Sequence, residues 1–201
     1  MTTVPDNNFS IALPAKHVPG PRQGQWTYED YAALPNDGRR YEVMNGVLIM
    51  APAPTPEHQS VSTLLLVHLF QYSQAIGLGK ILAAPLDVEL APKKVIQPDI
   101  LVVLNANLHK IAEKRFVGAP DLVVEIASPG TEIYDRLSKY EAYERAGVSE
   151  YWIVNPGDKS VEVSFLEHGV FEPLGMFQGD ATIPSRVVPG IVNVQVRQFF
   201  G

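Results

Sequence analysis

The chain has 201 residues, 46% of them hydrophobic and 19% charged, which suits one globular domain with a substantial core and excludes global disorder. The absence of cysteine excludes disulfides, thiolate metal sites and a cysteine nucleophile, and fits a reducing compartment. A formal net charge of −6 argues against a broad non-specific nucleic-acid binder held by phosphate neutralisation, while leaving room for a nuclease whose acidic ligands lower the charge.

Residues 1–24 carry Pro5, Pro14, Pro19 and Pro21 without sustained periodicity, and read as an extended arm able to lie over a neighbour. Residues 25–201 read as a single domain. Thr27 with Glu29 and Asp30 predicts a capped short helix to about Leu34. Arg39–Val43 and Val47–Met50 flank Asn45-Gly46, a type I′ hairpin signal. Thr55-Pro56 opens a helix to about Ile76, with Val61, Leu64, Leu65, His68, Leu69 and Tyr72 at helical spacing and Gly77 at its end.

Lys80–Ala84, Leu86–Leu90 and Val95–Leu104 read as strands, followed by a partly helical connection over Asn105–Phe116 and a strand over Asp121–Ser128. A turn at Ser128–Glu132 leads into a helix that ends at Ala146 before Gly147. Glu150–Asn155, Ser160–Glu167 and Val170–Phe177 are further strands, with a terminal piece around Ile191–Phe200. The pattern is a mixed α/β layered domain with helices on a central sheet and a β-rich C-terminal extension. No apolar run approaches the roughly 20 residues of a membrane span. The N-terminus lacks the basic start and apolar core of a signal peptide, so a soluble cytoplasmic protein is expected.

Two of these strands carry acids. Asp99 begins one apolar run and Glu125 stands inside another, and burying an ionised carboxylate costs several kcal/mol unless a cation or hydrogen bonds meet it. If the strands are neighbours, the pair makes a hard-cation site of the kind Mg²⁺ uses, with few carboxylates and several waters. Lys139 lies in the following helix, four residues after Asp135, on one face with Ala142 and Ala146. Ile133, Leu137 and Tyr140 form the opposite face, and the sequence leaves open which of the two packs inward.

The ordered set Arg40-Tyr41-Glu42-Val43-Met44-Asn45-Gly46, Pro56-Glu57-His58, Gln97-Pro98-Asp99, Gly118–Glu125, Ser128-Pro129, the Asp135/Lys139/Tyr143 trio and Gly147–Val154 resembles the Uma-two family of restriction-endonuclease-like proteins, within the PD-(D/E)XK nuclease superfamily. The resemblance covers roughly residues 25–200. It implies an endonuclease-like core, a mixed sheet with flanking helices, and an Mg²⁺-dependent site for phosphodiester hydrolysis, with Mn²⁺ as a substitute. Asp99 matches the first acid of the motif and Glu125 the second. The usual lysine would stand two residues after Glu125, where this chain has Ala127, and Lys139 is its natural replacement. Glu42 matches the family's early acid and is a further ligand candidate.

His58 and Asp135 are candidates for supporting the ligands and Lys139. Asp121 reads as a strand-entry cap, Tyr143, Tyr151 and Trp152 as core, and Asn155-Pro156 as turn chemistry. The leading expectation is an Mg²⁺-dependent endonuclease acting on DNA. The alternatives are a binding or assembly module that keeps the fold without catalysis, and a metal-dependent hydrolase of a smaller phosphoester. A homodimer is expected as a possible assembly, with no membrane partner.

Overall fold

The computed structural model describes residues 13–15, 18–127 and 135–201, with the side chains of Leu13, Asp135 and Arg136 outside that description. Most of the expected arm (1–12, 16 and 17) and the expected turn at Ser128–Glu132 therefore lie outside the described residues. The described part of the arm lies on its own chain, where β1 (Leu13–Pro14) pairs antiparallel with β3 (Val47–Ala51). Gln23 fastens it, donating to Ala15 O and accepting from Leu48 N at 2.7 Å.

Thr27 caps α1 (Tyr28–Ala32) in a reciprocal capping box with Asp30. β2 (Arg40–Met44) meets β3 through Asn45 and Gly46, whose φ values of 52° and 75° are both positive, as a two-residue I′ turn demands. Gly46 is constrained twice over, since a Cβ there would come within 2.5 Å of Gly24 O. Thr55 caps α2 (Pro56–Ala75), and Pro56 fills a first-turn position where a missing N–H costs nothing.

The remaining strands are β4 (Gly79–Ala83), β5 (Asp87–Ala91), β6 (Lys94–Ile96), β7 (Ile100–Leu104), β8 (Arg115–Val117), β9 (Leu122–Ile126), β10 (Glu150–Asn155), β11 (Ser160–Glu167) and β12 (Val170–Gln178). A π-type turn at Asp135–Lys139 leads into α3 (Tyr140–Ala146), which Gly147 ends in the left-handed region at φ 89°. The strands divide into two six-stranded sheets, ordered β1-β3-β2-β6-β5-β8 and β12-β11-β10-β9-β7-β4. Both are mixed: β5/β8 and β9/β10 run parallel, and the other pairs antiparallel. The mixed α/β class of the sequence reading stands, with two sheets in place of one.

The single strand expected over Val95–Leu104 is in fact two strands in different sheets. Pro98 has no N–H to continue a ladder, so the chain leaves one sheet at Ile96 and enters the other at Ile100. That break sets Asp99 at the seam between the sheets. Alternation then sorts β9: Leu122, Val124 and Ile126 face α2, while Val123 packs with Ala142 and Tyr143 of α3 on the other side.

The terminal piece around Ile191–Phe200 forms two 3-10 turns, Pro189–Asn193 and Val196–Phe199. Its buried residues fall three apart (Ile191 and Val194, Val196 and Phe199), the spacing a 3-10 turn places on one side, and they join the core with α2. Glu150 pins this segment, accepting from Arg186 N at 2.9 Å, Val187 N at 3.0 Å and Trp152 Nε1 at 2.6 Å. Burial outweighs these donors and raises the Glu150 carboxyl above its ordinary range. The β-rich extension is the β11–β12 hairpin, with β12 the largely exposed outer strand. Among the described residues no helix is long and apolar enough to cross a membrane.

Candidate active site

Strand register decides which acids meet. β7 and β9 pair Ile100 with Val124 and Leu101 with Val123, so one step further Asp99 lies across from Glu125 on the same face. Ile126 N closes that step by donating to Asp99 Oδ2 at 2.8 Å. Glu42 arrives from the other sheet. On β2, Tyr41 and Val43 enter a core with Trp26, whereas Met44 packs toward α3, and Glu42 shares the parity of Met44. The cross-strand approach of β2 to β6 then lets Gln97 N donate to Glu42 Oε1 at 3.0 Å.

The inward face of the helix is the one carrying Lys139. Leu137 is exposed, while Lys139, Ala142 and Tyr143 are buried. Lys139 Nζ reaches Glu125 Oε2 at 3.0 Å and Glu42 Oε1 at 3.3 Å, bridging acids from the two sheets. Tyr143, one turn on, donates to Glu125 Oε1 at 2.5 Å. Burial, the Glu125 charge and the neighbouring Tyr151 push the Tyr143 phenol well above its ordinary pKa, which keeps it a donor.

His58, in the first turn of α2, places Nε2 3.1 Å from Asp99 Oδ2. Because that oxygen already accepts from Ile126 N–H, a carboxylate there requires His58 to carry its proton on Nε2. Burial pushes the Asp99 carboxyl up, but the hydrogen bond and charge of His58, the Lys139 charge and the Ile126 N–H together leave it below its usual range. Asp99 is thus held as a carboxylate despite being 7% exposed; Glu42 and Glu125 are each 3% exposed.

The structure therefore gathers Asp99, Glu125, Glu42, Lys139 and His58, and the side chain of Asp135 lies outside the described residues. Asp121 instead caps the strand entry, accepting from Leu104 N and Asn107 Nδ2 at 2.8 Å each. Asn155 serves its turn by accepting from Gly157 N. Sequence reasoning placed Tyr143 in the core alone and gave Arg40 and Gln97 no part in the site. Their signal was parity: Arg40 stands two residues before Glu42 on the same face of β2.

These side chains line a cleft of about 50 Å³, with Arg40, Gln97 and the Ala51–Pro54 loop at its wall. That volume suits a few water-sized groups. The oxygens are hard donors. Among the described residues nothing donates to Asp99 Oδ1 or Glu42 Oε2, although both residues line the cleft. No three carboxylate or imidazole groups among the described residues converge closely enough to enclose an ion by themselves. The donor set fits an ion held by two carboxylates and otherwise by water, the habit of Mg²⁺.

The profile of the family described as "Uma2: Putative restriction endonuclease" matches residues 28–197. The fold is similar to that of a crystal structure described as "a putative nuclease belonging to DUF820" from Anabaena variabilis ATCC 29413. The TM-score is 0.69 at 18% identity, covering 87% of this chain and 97% of that one. Comparison with curated proteins gives no match.

Proposed function

The chain belongs to the Uma2 family, and from that premise we propose that it is a metal-dependent nuclease that hydrolyses phosphodiester bonds, with DNA as its substrate. One observation carries the reading: Glu42 and Glu125 from the two sheets, Asp99 from the seam between them and Lys139 from the turn before α3 meet in one cleft. Among the described residues three buried acids share Lys139 and His58, which is a poor way to stabilise a fold. Hydrophobic residues of similar volume commonly do as well or better, so the cluster is better explained by chemistry.

Mg²⁺, or Mn²⁺ in its place, would be held by Asp99 and Glu42, whose oxygens have acceptor capacity to spare, and would polarise the phosphate and acidify a bound water. Hydrolysis joins a water oxygen to phosphorus, breaks one phosphorus–oxygen ester bond, and passes the water's proton to the leaving alkoxide through solvent or a carboxylate. Lys139 sets positive charge at the cleft wall, where it offsets charge that builds on the non-bridging oxygens. Glu125 and Tyr143 hold that ammonium in place. His58 and Ile126 N–H keep Asp99 ionised and aimed.

Cleavage assays on duplex DNA, single-stranded DNA, RNA and nucleotides, with Mg²⁺, Mn²⁺ or EDTA, test the proposal. The expected result is EDTA-sensitive cutting or nicking of DNA. Metal-independent cutting, or cutting unaffected by Glu125→Gln, would overturn it.

A second reading, a nuclease-fold binding or assembly module, draws on the same cluster: Lys139 already bridges two of the acids, and Ala127 occupies the usual lysine position. Calorimetric titration separates the readings, because a module without catalysis needs no divalent ion in the cleft.

A further inference from the structure

We propose that Arg40 is a phosphate clamp: a guanidinium fixed by Gln97 at the cleft wall that takes the substrate's phosphate through a two-pronged hydrogen-bonded pair. This deepens the nuclease reading and rests on it for the molecule that carries the phosphate.

Arg40 opens β2 and lines the cleft with Glu42, Asp99 and Glu125. Its Nε donates to Gln97 Oε1 at 3.1 Å and its Nη2 to Gln97 O at 3.3 Å, both neutral acceptors. Arg115, Arg145, Arg186 and Arg197 each pair with a carboxylate. Among the described residues no carboxylate comes within 4.0 Å of the Arg40 guanidinium. A guanidinium carries five N–H groups. Two are used here, leaving two on Nη1 and one on Nη2, on the terminal nitrogens that grip phosphate oxygens in pairs.

The orientation is built in. Gln97 Nε2 donates to Asp87 Oδ1 at 2.8 Å and to Tyr31 OH at 3.0 Å, while Tyr31 OH donates to Asp87 Oδ1 at 2.7 Å. Those bonds fix which end of the amide is nitrogen, so Oε1 is turned toward Arg40. Gln97 N meanwhile holds Glu42, and one residue aligns both a cation and an acid of the cleft. The need is electrostatic. Three carboxylates repel a phosphodiester, and Lys139 is shared between two of them. Arg40 is a cleft cation with donors to spare.

The test titrates inorganic phosphate into metal-free protein and follows the side-chain Nε–H resonances of arginine by NMR, Arg40 being assigned by its loss in Arg40→Met. A saturable shift of the Arg40 signal is expected. Affinity should fall about tenfold in Arg40→Lys, which keeps the charge without the fork, and saturable binding should vanish in Arg40→Met. Gln97→Leu should weaken binding several-fold by releasing the guanidinium. In cutting assays Arg40→Lys should raise KM more than it lowers kcat, which a purely structural role would not do. No saturable shift in the wild-type protein, or equal affinity in Arg40→Met, overturns the clamp whatever the variants' folding. If phosphate binds through Arg40 but no nucleic acid is cut, the clamp stands and the nuclease reading falls. If DNA is cut while phosphate ignores Arg40, the clamp alone falls.

Discussion

Lys139 Nζ lies 3.0 Å from Glu125 Oε2, a buried pair joined across 14 residues of chain. Strand parity turns Glu125 toward α3, and the turn before that helix delivers the ammonium. Lys139→Met should therefore cost about 3–5 kcal/mol, the usual penalty for removing one partner of a buried ion pair. The loss should appear as a lower urea midpoint at pH 7, and an unchanged midpoint would contradict the pairing.

The position of the lysine can also be moved back. Ala127 follows Glu125 by two residues, on the same face and 7% exposed among Ala142 and Tyr143. In a Lys139→Ala background, Ala127→Lys should recover at least about tenfold of the lost cutting rate, because the charge returns to the same carboxylate. Recovery by Ala127→Met to the same extent would show that charge is not the cause.

His58 acts through Asp99. His58→Ala removes a hydrogen bond to an ionised group and should destabilise the protein by about 1.5–3 kcal/mol. It should also slow cutting while Asp99→Asn, which removes the carboxylate charge itself, slows it further. Double-mutant coupling near zero between His58→Ala and Asp99→Asn would sink this link.

Much of this was legible in the sequence, for physical reasons. Asn45-Gly46, Thr55-Pro56 and Gly147 announce turns and caps through local backbone chemistry, and all three do so here. Asp99 and Glu125 were legible because acids in apolar runs are costly. The seam at Pro98 was not, because the apolar runs on its two sides look continuous while belonging to different sheets. The inward side of the turn leading into α3 was also hidden: Leu137 is apolar yet exposed, and a charged Lys139 is buried against acids from distant segments. Gln97 and Arg40 stand in the quoted motifs without a site role there, because their pairing is a contact across 57 residues.

Glu150 gives a pH signature away from the cleft. Its carboxyl is raised by burial, so the stability it contributes is full below the unfolded value of about 4.3 and is lost as pH rises through the folded value. Glu150→Gln should flatten that slope between pH 4 and 7 in urea unfolding. It should also lower stability at pH 7 by about 1–3 kcal/mol, since an amide NH₂ would face N–H donors from Trp152, Arg186 or Val187. An identical slope in both proteins would assign the pH dependence elsewhere.

Gly46→Ala tests the hairpin that carries Glu42. With φ at 75° and Gly24 O within 2.5 Å of the added carbon, it should cost about 1–3 kcal/mol. A thermal midpoint equal to wild type would remove the turn from the account.

The most direct measurement is anomalous diffraction from crystals soaked in Mn²⁺. An Mn²⁺ peak in the cleft beside Asp99 and Glu42, lost in Asp99→Asn crystals, is the predicted result. A cleft without a peak in crystals of protein that cuts DNA with Mn²⁺ would contradict the assignment of these residues as its metal-dependent site.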